Sequence, residues 1–180
     1  MSTIFLLGFM GSGKSAVARA LSRQLNLPLV DLDARIEHEI GTSIAQFFAS
    51  KGENAFREVE TRVLTEVSEE KAVVSLGGGV PTRLQNRQML QDSARKGALV
   101  VYLAAQSETL AQRIRRQPGK RPLIDGGGAL DLEQTKARVE ELLDEREAFY
   151  RDCASFEVQT DERTIPQIAG IIADKWNSIT

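Results

Sequence analysis

Eight residues near the start of the chain, Gly8-Phe9-Met10-Gly11-Ser12-Gly13-Lys14-Ser15, follow the pattern G-x-x-x-x-G-K-[ST]. The pattern works at one kind of junction, where a strand delivers the loop and a helix leaves it with its positive end aimed at a bound anion. Both neighbours are present: Ile4–Leu7 is a short apolar run suited to a strand, and Ala16-Val17-Ala18 and Ala20-Leu21 are helix formers. The glycines let successive N–H groups turn inward around phosphate oxygens. The expected phosphate cradle is Gly11, Ser12, Gly13, Lys14, Ser15 and Ala16, with Lys14 on the β- and γ-phosphates and the Ser15 hydroxyl on Mg²⁺. At ordinary glycine usage a chance match in a chain this long has a probability on the order of 1%. The loop implies nucleotide binding and leaves the phosphate acceptor open.

Similar apolar runs recur at Leu29–Leu32, Ala72–Leu76, Leu99–Leu103 and Phe156–Val158, with longer helix-like stretches between most of them. That alternation predicts an α/β fold, a parallel sheet with helices on both faces. Two segments read as insertions into one domain spanning residues 1–180. The first, about 33–67, holds Ile36, Ile40, Ile44, Phe47, Phe48 and Val63 at roughly helical spacing, with Arg57 and Glu60. The second, about 113–130, gathers Arg113, Arg115, Arg116, Lys120 and Arg121 before Gly126-Gly127-Gly128 and reads as a basic lid. Near the C-terminus Pro166 is suited to open a helix whose Ile168, Ile171, Ile172 and Trp176 share a face.

Composition narrows the function. Lys and Arg total 23 against 25 Asp and Glu, a net charge of −2, so no general basic field exists to hold a nucleic acid. No run approaches the roughly 20 apolar residues of a membrane span. The single cysteine, Cys153, excludes an internal disulfide framework and reads as a buried structural thiol. Met1–Met10 lacks the basic start of a secretion signal, so the expectation is a cytoplasmic protein. His38 stands among Arg35, Glu37 and Glu39 and takes no catalytic role.

An apolar strand ending in aspartate, the usual second nucleotide motif, is missing, because Ala72–Leu76 runs into Gly77-Gly78-Gly79. Asp31 and Asp33 at the end of the second strand are the remaining carboxylates. In extended chain they share one side, so one could serve the metal and the other the acceptor. A helix cap plus a solvated charge is the alternative.

Taken together, Gly8–Ser15, Asp31-Leu32-Asp33, Phe56-Arg57-Glu58-Val59-Glu60, Gly77-Gly78-Gly79, Arg121-Pro122-Leu123 and Arg146-Glu147-Ala148-Phe149-Tyr150-Arg151 resemble shikimate kinase, in that family's order and spacing over nearly the whole chain. The resemblance implies a P-loop three-layer sandwich with strand order 2-3-1-4-5. It implies that ATP and Mg²⁺ phosphorylate the 3-hydroxyl of shikimate, a step toward aromatic amino acids, in an enzyme acting as a monomer. It assigns shikimate to Asp33, Arg57, Gly78, Gly79 and Arg146. Lys14 and Arg121 would act on the transferring phosphate, Asp33 would orient or deprotonate the attacking hydroxyl, and Ser15 and Asp31 would hold the metal. Arg113 or Arg116 matches the arginine that lies on adenine, with Pro166 on its other face.

The chemistry agrees independently, since two guanidiniums suit one carboxylate and Glu60, one turn after Arg57, is spaced to steady it. As a bland alternative, Arg57 and Glu60 form a surface pair, and Arg146 lies on a solvated face among Glu141, Asp144, Glu145 and Glu147. A gluconate kinase of similar build is the nearest rival. The Phe-Arg-x-x-Glu and triple-glycine motifs stand against it. A nucleotide-dependent switch protein would leave the acceptor residues unexplained.

Overall fold

The computed structural model describes residues 3–116 and 130–180. Five strands, β1 (Ile4–Leu7), β2 (Leu29–Asp31), β3 (Val73–Ser75), β4 (Leu99–Ala104) and β5 (Phe156–Gln159), form one parallel sheet in the order β2-β3-β1-β4-β5. This is the expected order. Ile4 pairs with Val73 on one side and Leu99 on the other, so β1 is central and delivers the glycine loop at the middle of the sheet's C-terminal edge. All residues of β1, β3 and β4 are buried, as a sheet covered on both faces requires.

The period of two along the strands divides the apolar residues between two cores. Ile4 and Leu6 of β1 join Leu99, Val101 and Leu103 of β4 against helices α1 (Lys14–Leu25) and α7 (Ile165–Asn177). Phe5 and Leu7 join Val100, Tyr102 and Ala104 on the other face. There they meet α2 (Leu32–Ile40), α3 (Ile44–Ser68), α4 (Leu84–Arg95), α5 (Ser107–Arg115) and α6 (Leu132–Cys153). Each large aliphatic or aromatic side chain so buried contributes about 1.5–3 kcal/mol. The result is three layers.

Local chemistry sets the helix ends. Ser43, Asp131 and Thr164 open α3, α6 and α7 as capping boxes, each with a glutamine three residues on, and Pro166 sits in the first turn of α7 as expected. The 33–67 segment is helical, yet Ile36, Phe56, Val63 and Leu64 are part of the main core. Within α3 the helix breaks at Gly52 (φ 81°, ψ 171°), a backbone region reserved for glycine.

One expectation is overturned here. The second strand ends at Asp31 and Leu32 is already helical, so Asp31 and Asp33 do not share a side of extended chain. The cause is Asp31 itself: its carboxylate accepts from Ala34 N at 3.2 Å and starts α2. Cys153 is buried, and burial pushes its thiol up to about 12. Among the described residues no helix is long and apolar enough to cross a membrane. Arg121 and most of the 113–130 segment lie outside the described residues.

Candidate active site

The glycine loop leaves β1 over the C-terminal edge of the sheet, and Gly13 caps α1 in the left-handed region at φ 95°. The Lys14 ammonium folds back over the loop and donates to the carbonyls of Gly8 (2.8 Å) and Phe9 (2.9 Å). Two cavities meet at this loop. One, of about 530 Å³, is lined by Gly11 through Ala16 together with Arg19, Arg113, Arg116, Arg163, Thr164, Ile165 and Ile168. The other, of about 520 Å³, is lined on one side by Met10, Gly11, Lys14, Ser15, Asp31 and Asp33, and on the other by Arg57, Glu60, Gly77-Gly78-Gly79 and Arg146. Ile44, Phe48 and Phe56 add an apolar wall, with the Phe48 and Phe56 rings 4.6 Å apart.

The second cavity gathers residues spread from position 10 to position 146. Asp31 reaches it while capping α2, so helix cap and cavity wall are both true of that residue. Asp33, in the first turn of α2, stands in the concave wall with its carboxylate open to the cavity. Desolvation there raises its pKa above the ordinary value, Asp31 adds to the rise, and Lys14 opposes it. Arg57 is held from two directions. Its Nη1 donates to both Glu60 oxygens at 2.9 and 3.0 Å, and its Nε and Nη2 reach Glu53 at 3.4 and 3.3 Å. Glu60 is 2% exposed, so this is not a surface pair. Burial pushes the Glu60 carboxyl up and Arg57 pulls it back.

The three glycines after β3 have three different tasks. A Cβ on Gly77 would stand 2.7 Å from Asp33 Oδ1, and one on Gly79 would stand 2.9 Å from both terminal nitrogens of Arg57. Each is tighter than a real contact allows, so bare backbone at these positions is what lets the two side chains lie against the loop. A Cβ on Gly78 would meet the phosphate loop at Gly8 O (3.6 Å) and Met10 N (3.9 Å), and the Gly78 carbonyl accepts from Tyr150 Oη at 2.7 Å. Behind them Thr61 of α3 donates to Asn86 of α4 (2.8 Å), which donates to Val80 O (3.0 Å), tying the helix of Arg57 to the chain after Gly79.

In the first cavity both lid arginines considered for adenine are present. Arg113 is the pinned one, donating to Thr160 Oγ1 (3.0 Å) and Thr160 O (2.8 Å) on the loop after β5. Thr164 and Ile165 line that cavity, whereas Pro166, the next residue, is exposed and is not among the lining residues. Sequence reasoning passed over Gly77, Tyr150, Arg19 and Arg163. Gly77 and Tyr150 lie inside motifs already singled out, and Arg163 is three residues before Pro166, but nothing in the spacing says which of them faces a cavity.

The oxygen donors suit Mg²⁺, which takes few protein ligands and keeps water and phosphate oxygens around it. Ser15 and Asp31 line one cavity, and capping engages only one oxygen of the Asp31 carboxylate.

Comparison with known proteins decides the family. The family model described as shikimate kinase matches residues 10–176. The chain belongs to the shikimate kinase family. A relative named shikimate kinase from Chlorobium chlorochromatii is 43% identical over 167 residues, covering 91% of this chain and 85% of its own. The structure of the shikimate kinase from Acinetobacter baumannii in complex with shikimate superposes with a TM-score of 0.84 at 32% identity, covering 99% of this chain and 94% of that one. A gluconokinase from Sinorhizobium meliloti, at 18% identity and a TM-score of 0.60, shares the fold alone. The sandwich is therefore common to this family and to its rival acid kinase, and likeness of sequence, not of fold, separates them.

Proposed function

We propose that this protein transfers the γ-phosphoryl group of ATP to the 3-hydroxyl of shikimate, giving 3-phosphoshikimate and ADP. The observation that carries the reading is the single cavity in which Lys14 and Ser15 of the phosphate loop face Asp33, Arg57 and Arg146. Arg57 and Arg146 hold the acceptor carboxylate, since a planar guanidinium donates to both carboxylate oxygens in matching geometry. Gly78 and Gly79 pass beneath the ring, and Asp33 accepts from its hydroxyls.

Phosphoryl transfer asks for alignment and charge neutralisation more than covalent chemistry. Asp33 orients the attacking hydroxyl and takes its proton, a task suited to a carboxylate whose proton affinity is raised. Lys14 leaves the carbonyls of Gly8 and Phe9 for the β- and γ-oxygens, exchanging neutral acceptors for charged ones. Ser15 and Asp31 would hold Mg²⁺, which would supply charge neutralisation at the phosphates. Arg113 lies on the adenine, and Arg121 completes the nucleotide contacts. The sandwich with its 33–67 and 113–130 insertions acts as one domain, as a cytoplasmic monomer without nucleic-acid or membrane partners. Light scattering checks the monomer, and cell fractionation checks the cytoplasmic location.

Coupled ADP release with shikimate, quinate and gluconate offered separately tests the function. Turnover is expected with shikimate, and turnover with gluconate alone would overturn the reading. Asp33→Asn should lower kcat by at least 10²-fold, the scale of general-base catalysis, while ATP affinity stays within about threefold. Near-normal turnover in that variant removes Asp33 from the reaction.

A further inference from the structure

Arg146 and Tyr150 stand one turn apart on α6, a spacing that stacks side chains on one helix face. Tyr150 is 1% exposed, and its ring stacks on Tyr102 of β4 with centroids 5.3 Å apart. Its hydroxyl donates to Gly78 O at 2.7 Å across 72 residues of sequence. Burial raises the pKa of this phenol, and the positive charge of Arg146 opposes the rise. A phenol has one proton to give, and here it goes to Gly78 O. That bond joins a side chain from α6 to a loop that follows β3.

We propose that Tyr150 is a positioning residue for the acceptor: its hydroxyl ties the helix that carries Arg146 to the Gly78-Gly79 backbone, so that the acceptor carboxylate and ring meet contacts already in register. This rests on the assignment of Arg146 and Gly78-Gly79 to shikimate above. The arrangement has a physical logic. Arg146 and the glycine loop come from distant parts of the chain, and contacts held in place before the ligand arrives need less ordering when it binds. A Cβ on Gly78 would stand 3.6 Å from Gly8 O and 3.9 Å from Met10 N, so the bonded loop lies beside the phosphate loop on the donor side. Burial holds the Tyr150 phenol up at about 12, which keeps its proton on oxygen throughout the working range.

Tyr150→Phe deletes one oxygen from a packed ring and retains the fold. The expected result is a shikimate KM raised about three- to tenfold, the worth of one hydrogen bond, with kcat and the ATP KM within about twofold. Tyr102→Phe, which removes the neighbouring hydroxyl that faces Glu147 instead of the cavity, serves as the packing control and leaves all three values near those of the parent protein. Arg146→Ala is measured alongside, and the double variant should show less than the product of the two single effects. If Arg146→Ala raises the shikimate KM and Tyr150→Phe does not, the positioning role falls and the acceptor reading stands. If Arg146→Ala leaves that KM unchanged, both fall. A Tyr150→Phe protein with a lowered melting temperature and equal rises in both KM values would mark Tyr150 as ordinary core and overturn the proposal.

Discussion

Arg57 shows how one residue couples binding to stability. Its Nη1 is the partner of Glu60, a carboxylate 2% exposed, while the guanidinium also faces the acceptor cavity. Arg57→Ala should raise the shikimate KM by about 10- to 150-fold, since charge-assisted hydrogen bonds are worth about 1.5–3 kcal/mol, and should largely spare the ATP KM. The same change strands Glu60. Its folded-state pKa is already raised from 4.5 by burial, and loss of Arg57 raises it further. The folded state then holds a proton that the unfolded state releases, so stability falls as pH rises from 4.5 through the raised value. Urea midpoints taken across that interval should show the variant's deficit growing with pH and shrinking toward 4.5. Gly77 gives a second prediction. A Cβ there would press on Asp33 Oδ1, and a misplacement on the order of 1 Å can cost 10²-fold, so Gly77→Ala should lower kcat by roughly that factor at saturating substrates. The meeting of Asp33 and Arg57 in one cavity was legible in the sequence because their motifs carry it. The dependence of both on Gly77 and Gly79 was not, because a steric fit has no signature along the chain.

Helix α3 works as two pieces. The stretch before Gly52, opened by the capping box of Ser43 and Gln46, carries Ile44 and Phe48 to the cavity wall, and the stretch after it carries Arg57 and Glu60 and packs on the sheet. The break changes the direction of the first piece. A Cβ at Gly52 would meet nothing within 4 Å, so space alone would permit alanine. Backbone conformation would not: Gly52→Ala should destabilise the protein by about 1–3 kcal/mol or straighten the helix. Straightening would move Ile44 and Phe48, so a rise in shikimate KM without loss of stability would report it. Urea unfolding with kinetics on the same sample separates the two outcomes. The helical character of this region was readable from the spacing of Ile36, Ile40, Ile44 and Phe48, as was the helix opened by Pro166. The end of β2 was misjudged because the capping bond from Ala34 N to Asp31 competes with one further residue of strand, and apolar Leu32 suits either state.

Across the whole molecule, the C-terminal edge of the sheet brings the two cavities together, sharing Gly11, Lys14 and Ser15. A ligand that binds only the folded protein stabilises it by RT ln(1 + [L]/Kd), about 2.7 kcal/mol at a hundredfold excess over Kd. Mg²⁺ADP at that excess should therefore raise the melting temperature. Lys14→Met should lose most of the gain at the same concentration because the lysine charge on the phosphates is gone. An undiminished shift in Lys14→Met would remove Lys14 from the nucleotide site.

The sequence by itself determined the α/β class and the strand-loop-helix junction at Gly8–Ser15. Each of these is written in spacings of two to eight residues, which backbone geometry turns directly into strands, turns and helix faces. Tertiary structure alone decided that Asp31 both caps a helix and lines a cavity, that Gly77 and Gly79 make room for Asp33 and Arg57, and that Asn86 braces the chain after the glycines. It alone joined Tyr150 to Gly78. Those contacts form between segments as far as 72 residues apart. They exist only once the parallel sheet has closed and its two cores have fixed the distance from each helix to each loop.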